Sequence, residues 1–250
     1  MNRLVKAELL KLRTTRSLYG TIAGVVVLVA LGVSAAIATA GTSGNAGLDT
    51  TEGLRGVFDG AVNAGFLLLV MGIITTAGEY RQNTITAALL ITPERRQLIG
   101  AKTIAMAIVG AGVAVIATAV TLTVSLPWLA AKGVHPTLLS SDVAGVLLGS
   151  AAVMVLFGLI GIGLGAIIRN QVAAVVGALA WLLIVENLLV GLFPAIGKWL
   201  AFGASGSLIG SVDAGGDLLP VGAAALLLLG YGAAFIAAGI RLTASRDVIA

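Results

Sequence analysis

The stretch GEYRQNTITAALLITPERRQLIGAK, residues 78–102, gathers Glu79, Arg81, Glu94, Arg95, Arg96 and Lys102 into one segment of a chain otherwise dominated by Ala, Val, Leu, Ile and Gly. Charges at this density fit either a docking element for a soluble partner or the determinants of a positive-inside loop. They come without a nucleophile–base pair or a metal-ligating set. The chain has no cysteine, which removes thiolate chemistry and disulfides together. Its one histidine, His135, stands beside Pro136 and reads as a loop residue. Glu186 is the other residue of chemical interest: an acid inside a long apolar run, followed by Asn187, is a functional position by default. Two phosphate-binding lookalikes fail. GLFPAIGKW (191–199) has five residues between its glycines and Trp after the Lys, whereas a P-loop needs four and a Ser or Thr. GIGLGA (161–166) lies inside an apolar span with no strand before it.

The elements that must hold these residues follow from composition. With 58% hydrophobic and 10% charged residues and a mean hydropathy of +1.08, the chain cannot present an ordinary wetted surface, since soluble domains carry about 25% charge. A crossing of a hydrocarbon core of about 30 Å takes about 20 helical residues. Six such spans are predicted, at 17–40, 58–77, 103–126, 143–168, 172–193 and 219–240. Continuous runs such as VAAVVGALAWLLIV lack the alternation of a barrel strand, so the fold class is an all-α membrane protein forming a single domain over 1–250. The first span is longer than a signal-peptide core and is expected to be retained.

Charge orients the bundle. With the N-terminus cytoplasmic, twelve Lys and Arg fall inside and three, Arg55, Lys132 and Lys198, fall outside. Both termini and the 78–102 segment are therefore expected at the cytoplasmic face, and the net charge of +4 reflects topology rather than nucleic-acid binding. Residues 1–16 place Leu4, Val5, Leu9 and Leu12 at helical spacing among Lys6, Arg13 and Arg16. This is a basic amphipathic helix suited to the membrane surface, either an anchor for topology or an elbow that also meets a cytoplasmic partner.

Within 78–102, TITAALLI is too short to span and predicts a small interfacial helix near 83–91. Thr92, Pro93 and Glu94 then form a helix-start signal for a helix running through Lys102 into the third span. An apolar face beside charges fits a docking element, and equally a loop lying against lipid. For Glu186, a place on a translocation path, structural pairing with neighbours such as Asn187, and snorkelling toward water all stay open. Gly145 with Gly149, and Gly161 with Gly165, are spaced for close helix approach. Residues 194–212 are too polar to span and too apolar for a free loop, which suggests an outer interfacial or re-entrant segment.

The order Glu79, Thr84, Leu89-Leu90, Thr92-Pro93, Arg96 and Lys102, together with GLGAIIRNQVAAVV between spans four and five, resembles the ABC-2 type permeases, the membrane subunits of ATP-binding-cassette exporters. The resemblance implies a coupling helix between spans two and three, with Asn83 to Leu90 entering a cleft of an ATPase subunit and Glu79, Arg81, Arg95, Arg96 and Lys102 making polar contacts around it. It implies a second permease copy, homo- or heterodimeric, and a separate ATPase that binds ATP and Mg, this chain binding no cofactor. It also implies short outer helices before the last span, and export of a drug, peptide antibiotic or lipid-like amphiphile from a bacterial cytoplasmic membrane. Asn83 stands where Gly is usual. Two other classes of function remain: a proton-coupled secondary transporter using Glu186, and a non-transporting membrane assembly protein.

Overall fold

The computed structural model describes residues 1–42, 45–82, 94–138, 140–210 and 218–245. Every regular element among the described residues is a helix. They are α1 (Asn2–Thr14), α2 (Arg16–Thr39), α3 (Thr51–Phe58), a 3-10 turn (Asp59–Ala64), α4 (Gly65–Arg81), α5 (Arg95–Ala131) and α6 (Ser141–Ile167). There follow α7 (Gln171–Ala180), a π-helical turn (Trp181–Glu186), α8 (Asn187–Leu192), α9 (Pro194–Gly197), α10 (Ala201–Ile209) and α11 (Val221–Ser245). Six stretches are long and apolar enough to cross a membrane: Arg16–Thr39, Thr51–Arg81, Arg96–Ala131, Ser141–Ile167, Gln171–Leu192 and Val221–Thr243.

The centre is the pair α4 and α6, and glycine sets their separation. A Cβ added at Gly161 would lie 2.2 Å from the carbonyl oxygen of Leu69, one at Gly165 would lie 2.8 Å from that of Ile73, and one at Gly72 would lie 2.3 Å from that of Gly158. The two backbones thus touch at a depth that no other residue permits. Gly149 makes a similar approach to α10, 2.7 Å from the Leu208 carbonyl, whereas Gly145 faces open space. Around this pair α2 buries a single stripe, Val25, Val29, Val33 and Ile37, and leaves Val27 and Leu31 exposed. That pattern is what a helix meeting protein on one side and lipid on the other requires.

Several boundaries differ from expectation for identifiable reasons. The turn between α1 and α2 is at Thr15, the one residue in extended conformation, whose hydroxyl donates to the Leu12 carbonyl at 2.8 Å, two residues before Ser17. The second span begins earlier, because Thr50 caps α3 by accepting from the Gly53 amide at 3.0 Å. Helix α5 starts at Arg95, with Glu94 extended and its side chain accepting from Gln97 at 2.6 Å. It also continues through Pro127 to Ala131, past the expected end at 126. Leu129 is fully buried, and Gly133, with φ of +77°, closes the helix while the Gly133 and Val134 amides donate to Ala130 and Leu129. The core therefore holds a last turn that proline alone would have released.

The ends of the bundle are tied differently. At the end remote from α1, Arg55 of α3 ion-pairs with Asp142 at the start of α6 and donates to the Gly210 carbonyl at 3.4 Å. Lys132 donates to the Ile37 carbonyl at 3.0 Å, closing the end of α2. Residues 194–210 hold two short helices, and α10 is buried against α6 and α11 through Ala204, Leu208 and Ile209.

Candidate functional site: a buried ion-pair knot and a carboxylate at a broken helix

At the α1 end, four charged side chains from three helices converge. Lys102 on α5 donates to Glu8 Oε2 at 2.8 Å and to Glu79 Oε1 at 2.7 Å. Lys11 on α1 donates to Glu8 Oε1 at 3.1 Å and to Glu79 Oε1 at 2.5 Å. Two acids and two bases make the cluster formally neutral. Glu8, Glu79 and Lys102 are buried, with Lys102 only 1% exposed, and Lys11 covers the cluster from the rim. Burial opposes charge on Glu8, yet the Lys102 and Lys11 ammonium groups outweigh it and hold the carboxyl below its ordinary value. Burial also opposes charge on Lys11, and the hydrogen bond and charge of Glu79, with those of Glu8, raise it above its ordinary value.

The helices place these groups for sequence reasons. Glu8 lies three residues after Val5 and four before Leu12, so it shares the inward face of α1 with them. An acid on the apolar face of an amphipathic helix is the signal that composition-level reading passes over. The neighbours of Glu79 are committed elsewhere. The Tyr80 ring carries the Arg169 guanidinium at 5.3 Å, binding the corner between α6 and α7 to the end of α4, and Arg81 is exposed. Asn170 caps α7 at the same corner by accepting from the Ala173 amide at 3.1 Å.

The residues expected around an ATPase cleft thus divide. Glu79 and Lys102 are inside the knot; Arg81 and Arg96 are exposed; Arg95 begins α5. Asn83, Thr84, Leu89, Leu90, Thr92 and Pro93 lie outside the described residues. Glu8, Lys11 and Arg169 complete the arrangement and were not predicted as site residues.

The second site surrounds Glu186, which is 3% exposed. Its Oε1 accepts from the Trp181 indole N–H at 2.7 Å and its Oε2 from the Phe202 amide at 2.6 Å. Phe202 is the second residue of α10, so the carboxylate serves as the N-terminal cap that Leu200 cannot supply. The wide π turn at Trp181–Glu186 carries both the indole and the carboxylate within one element. Glu186 does not pair with Asn187. Glu186 lines a cavity of about 500 Å³ with Phe157, Trp181 and Tyr231, and Asn187 lines another of about 400 Å³ with Asp59, Asn63 and Ser205. Among the described residues no group of His, Cys, Asp and Glu could hold a metal ion.

A family model described as "ABC-2 family transporter protein" matches residues 4–185. The chain belongs to the ABC-2 transporter family. It is accordingly a multi-pass membrane protein and the membrane permease of an ABC transporter, in a family whose members associate with an ABC ATPase. A search of curated proteins finds no match. The part matched to the ABC-2 family contains the whole knot from Glu8 to Lys102, and it stops one residue before Glu186, so that α8 to α11 lie beyond it.

Proposed function

We propose that this ABC-2 permease is the membrane half of an ATP-driven exporter, acting as a dimer with both termini and the 78–102 connection at the cytoplasmic face of a bacterial cytoplasmic membrane. A separate ATPase subunit binds ATP and Mg and docks on 78–102, where Asn83, Thr84, Leu89 and Leu90 enter its cleft. Thr92, Pro93 and Arg95 contribute to the same contact, and the exposed Arg81 and Arg96 flank it. The observation that carries this reading is the buried knot. Residues 83–93 join α4 to α5 in sequence, and Lys102 binds the end of α4 to the start of α5 and both to α1. A push on the connection from an ATPase would therefore move three elements as one body, which is what a rigid-body switch of access requires. The amphiphile exported passes Glu186 and Asn187.

Co-purification tests the docking half. The tagged permease is expressed with its candidate ATPase, as wild type and as Arg81→Glu with Arg96→Glu. Both arginines are exposed, so the variant should keep its thermal stability while losing the ATPase. Retention of the ATPase by a folded double variant would exclude this face as the docking site, and absence of any ATPase from the wild type would favour a transporter driven without one.

A further inference from the structure

Glu186 is buried with no cation beside it among the described residues. Its two partners among the described residues are neutral N–H groups, and it takes part in no ion pair there. A carboxylate has room for about four donors, so the two N–H groups leave lone pairs vacant. The surroundings do not compensate. The cavity it lines, about 500 Å³, is walled by Leu69, Ile160, Leu164 and Ile168, and Glu186 is the one charged residue among those that line it. That volume is within the roughly 300–1,000 Å³ of small-molecule sites. Ala174 and Glu186, both on its wall, are twelve positions apart along the helix, at most roughly 18 Å at the α-helical 1.5 Å per residue. The space is thus elongated, apolar along its length, and negative at one end.

Aromatic rings cluster at that negative end. Trp181 and Tyr231 line the cavity beside Glu186, with Phe157 and Phe235 further along. The Tyr231 hydroxyl donates to the Trp199 carbonyl at 2.9 Å, which leaves its ring and the lone pairs of its oxygen for a cationic ligand. Trp181 is 50% exposed and its neighbour Ile184 66%, so this flank of the span faces outward from the bundle, where a molecule dissolved in lipid can reach it. A buried carboxyl group with no counter-ion among the described residues, framed by aromatic faces and continued by an apolar trough, is complementary to a ligand that brings the missing positive charge. We propose that this cavity binds an amphipathic organic cation, its quaternary or ammonium-type head at Glu186 and the aromatic faces, and its apolar body along α6 and α7. Taking such a cation as exported cargo rests on the transporter reading above; its binding does not.

The test uses two near-isosteric ions of opposite charge, tetraphenylphosphonium and tetraphenylborate, with the purified full chain in detergent and no ATPase. Saturable binding is measured by equilibrium dialysis after subtraction of empty micelles. Wild type should hold the phosphonium at least about tenfold more tightly than the borate, the factor a single well-placed charge readily supplies. Glu186→Gln should remove that preference, and Trp181→Leu should weaken phosphonium binding several-fold. Equal binding of both ions by wild type, preference for the borate, or undiminished phosphonium binding by Glu186→Gln would each overturn the proposal. If Glu186→Gln does not fold, the wild-type comparison alone decides. A permease that fails to recruit an ATPase would leave this result unaffected, which separates the two readings.

Discussion

Lys102 is the residue on which the inner architecture depends most, because it serves two carboxylates at 2.7 and 2.8 Å while almost fully buried. Replacing it by Met takes from both Glu8 and Glu79 their buried ammonium, and loss of one partner from a buried pair costs about 3–5 kcal/mol. Thermal unfolding in detergent should show that loss, and Lys102→Arg should recover part of it. The pH dependence has a defined sign. Glu8, held below its ordinary value, contributes stability that is complete above about pH 4.3 and is lost as pH falls through its lower folded value. Lys11, raised by its carboxylates, contributes stability that is complete below about pH 10.4 and is lost as pH rises through its higher folded value. Midpoints measured across pH should therefore form a plateau with two falling limbs, and Glu8→Gln should remove this group's share of the acid limb.

At the scale of elements, glycine decides how closely α4 and α6 approach. Gly161→Ala would force a Cβ to 2.2 Å from the Leu69 carbonyl, which belongs to backbone and cannot swing aside, so the helices must separate. The expected outcome is a loss of several kcal/mol or failure to insert as a folded protein, whereas Gly145→Ala, facing open space, should be neutral within about 0.5 kcal/mol. Folding yield and melting temperature of the two variants check this directly. The spacing of the two pairs is identical in sequence, and this contrast shows where reading stops. Six spans were legible because hydropathy and helix length are local properties of the chain. Which glycine meets a backbone depends on rotation about the helix axis, which no local property fixes. The same holds for Glu8, whose place on the inward face of α1 is visible in its spacing but whose buried partner Lys102, 94 positions onward, is not. The π turn that aims Glu186 at α10 was invisible for a further reason: its sequence, WLLIVE, is ordinary helix-forming material, and the extra residue per turn is imposed by packing and by the Trp181 and Phe202 bonds.

Over the whole molecule, two polar clamps hold opposite ends of one apolar bundle. The knot joins α1, α4 and α5; the Arg55–Asp142 pair joins α3 to α6 and reaches α10. The clamps share no residue. Arg55→Met and Lys102→Met should accordingly be additive in stability within about 0.5 kcal/mol, measured by a double-mutant cycle on unfolding midpoints. A larger interaction energy would mean that the ends communicate through the bundle even at rest.

The knot also has a consequence for the order in which the chain is made. Glu8 is synthesised first, Glu79 next, and Lys102 last of the buried three, 94 positions after Glu8. Synthesis and folding proceed from the N-terminus. Until the start of α5 emerges, the nascent protein therefore carries Glu8 and Glu79 without the ammonium that α5 supplies to both. A chain arrested before Lys102 therefore lacks the group that ties α1 and α4 to α5, and the three helices lock together once that residue is made.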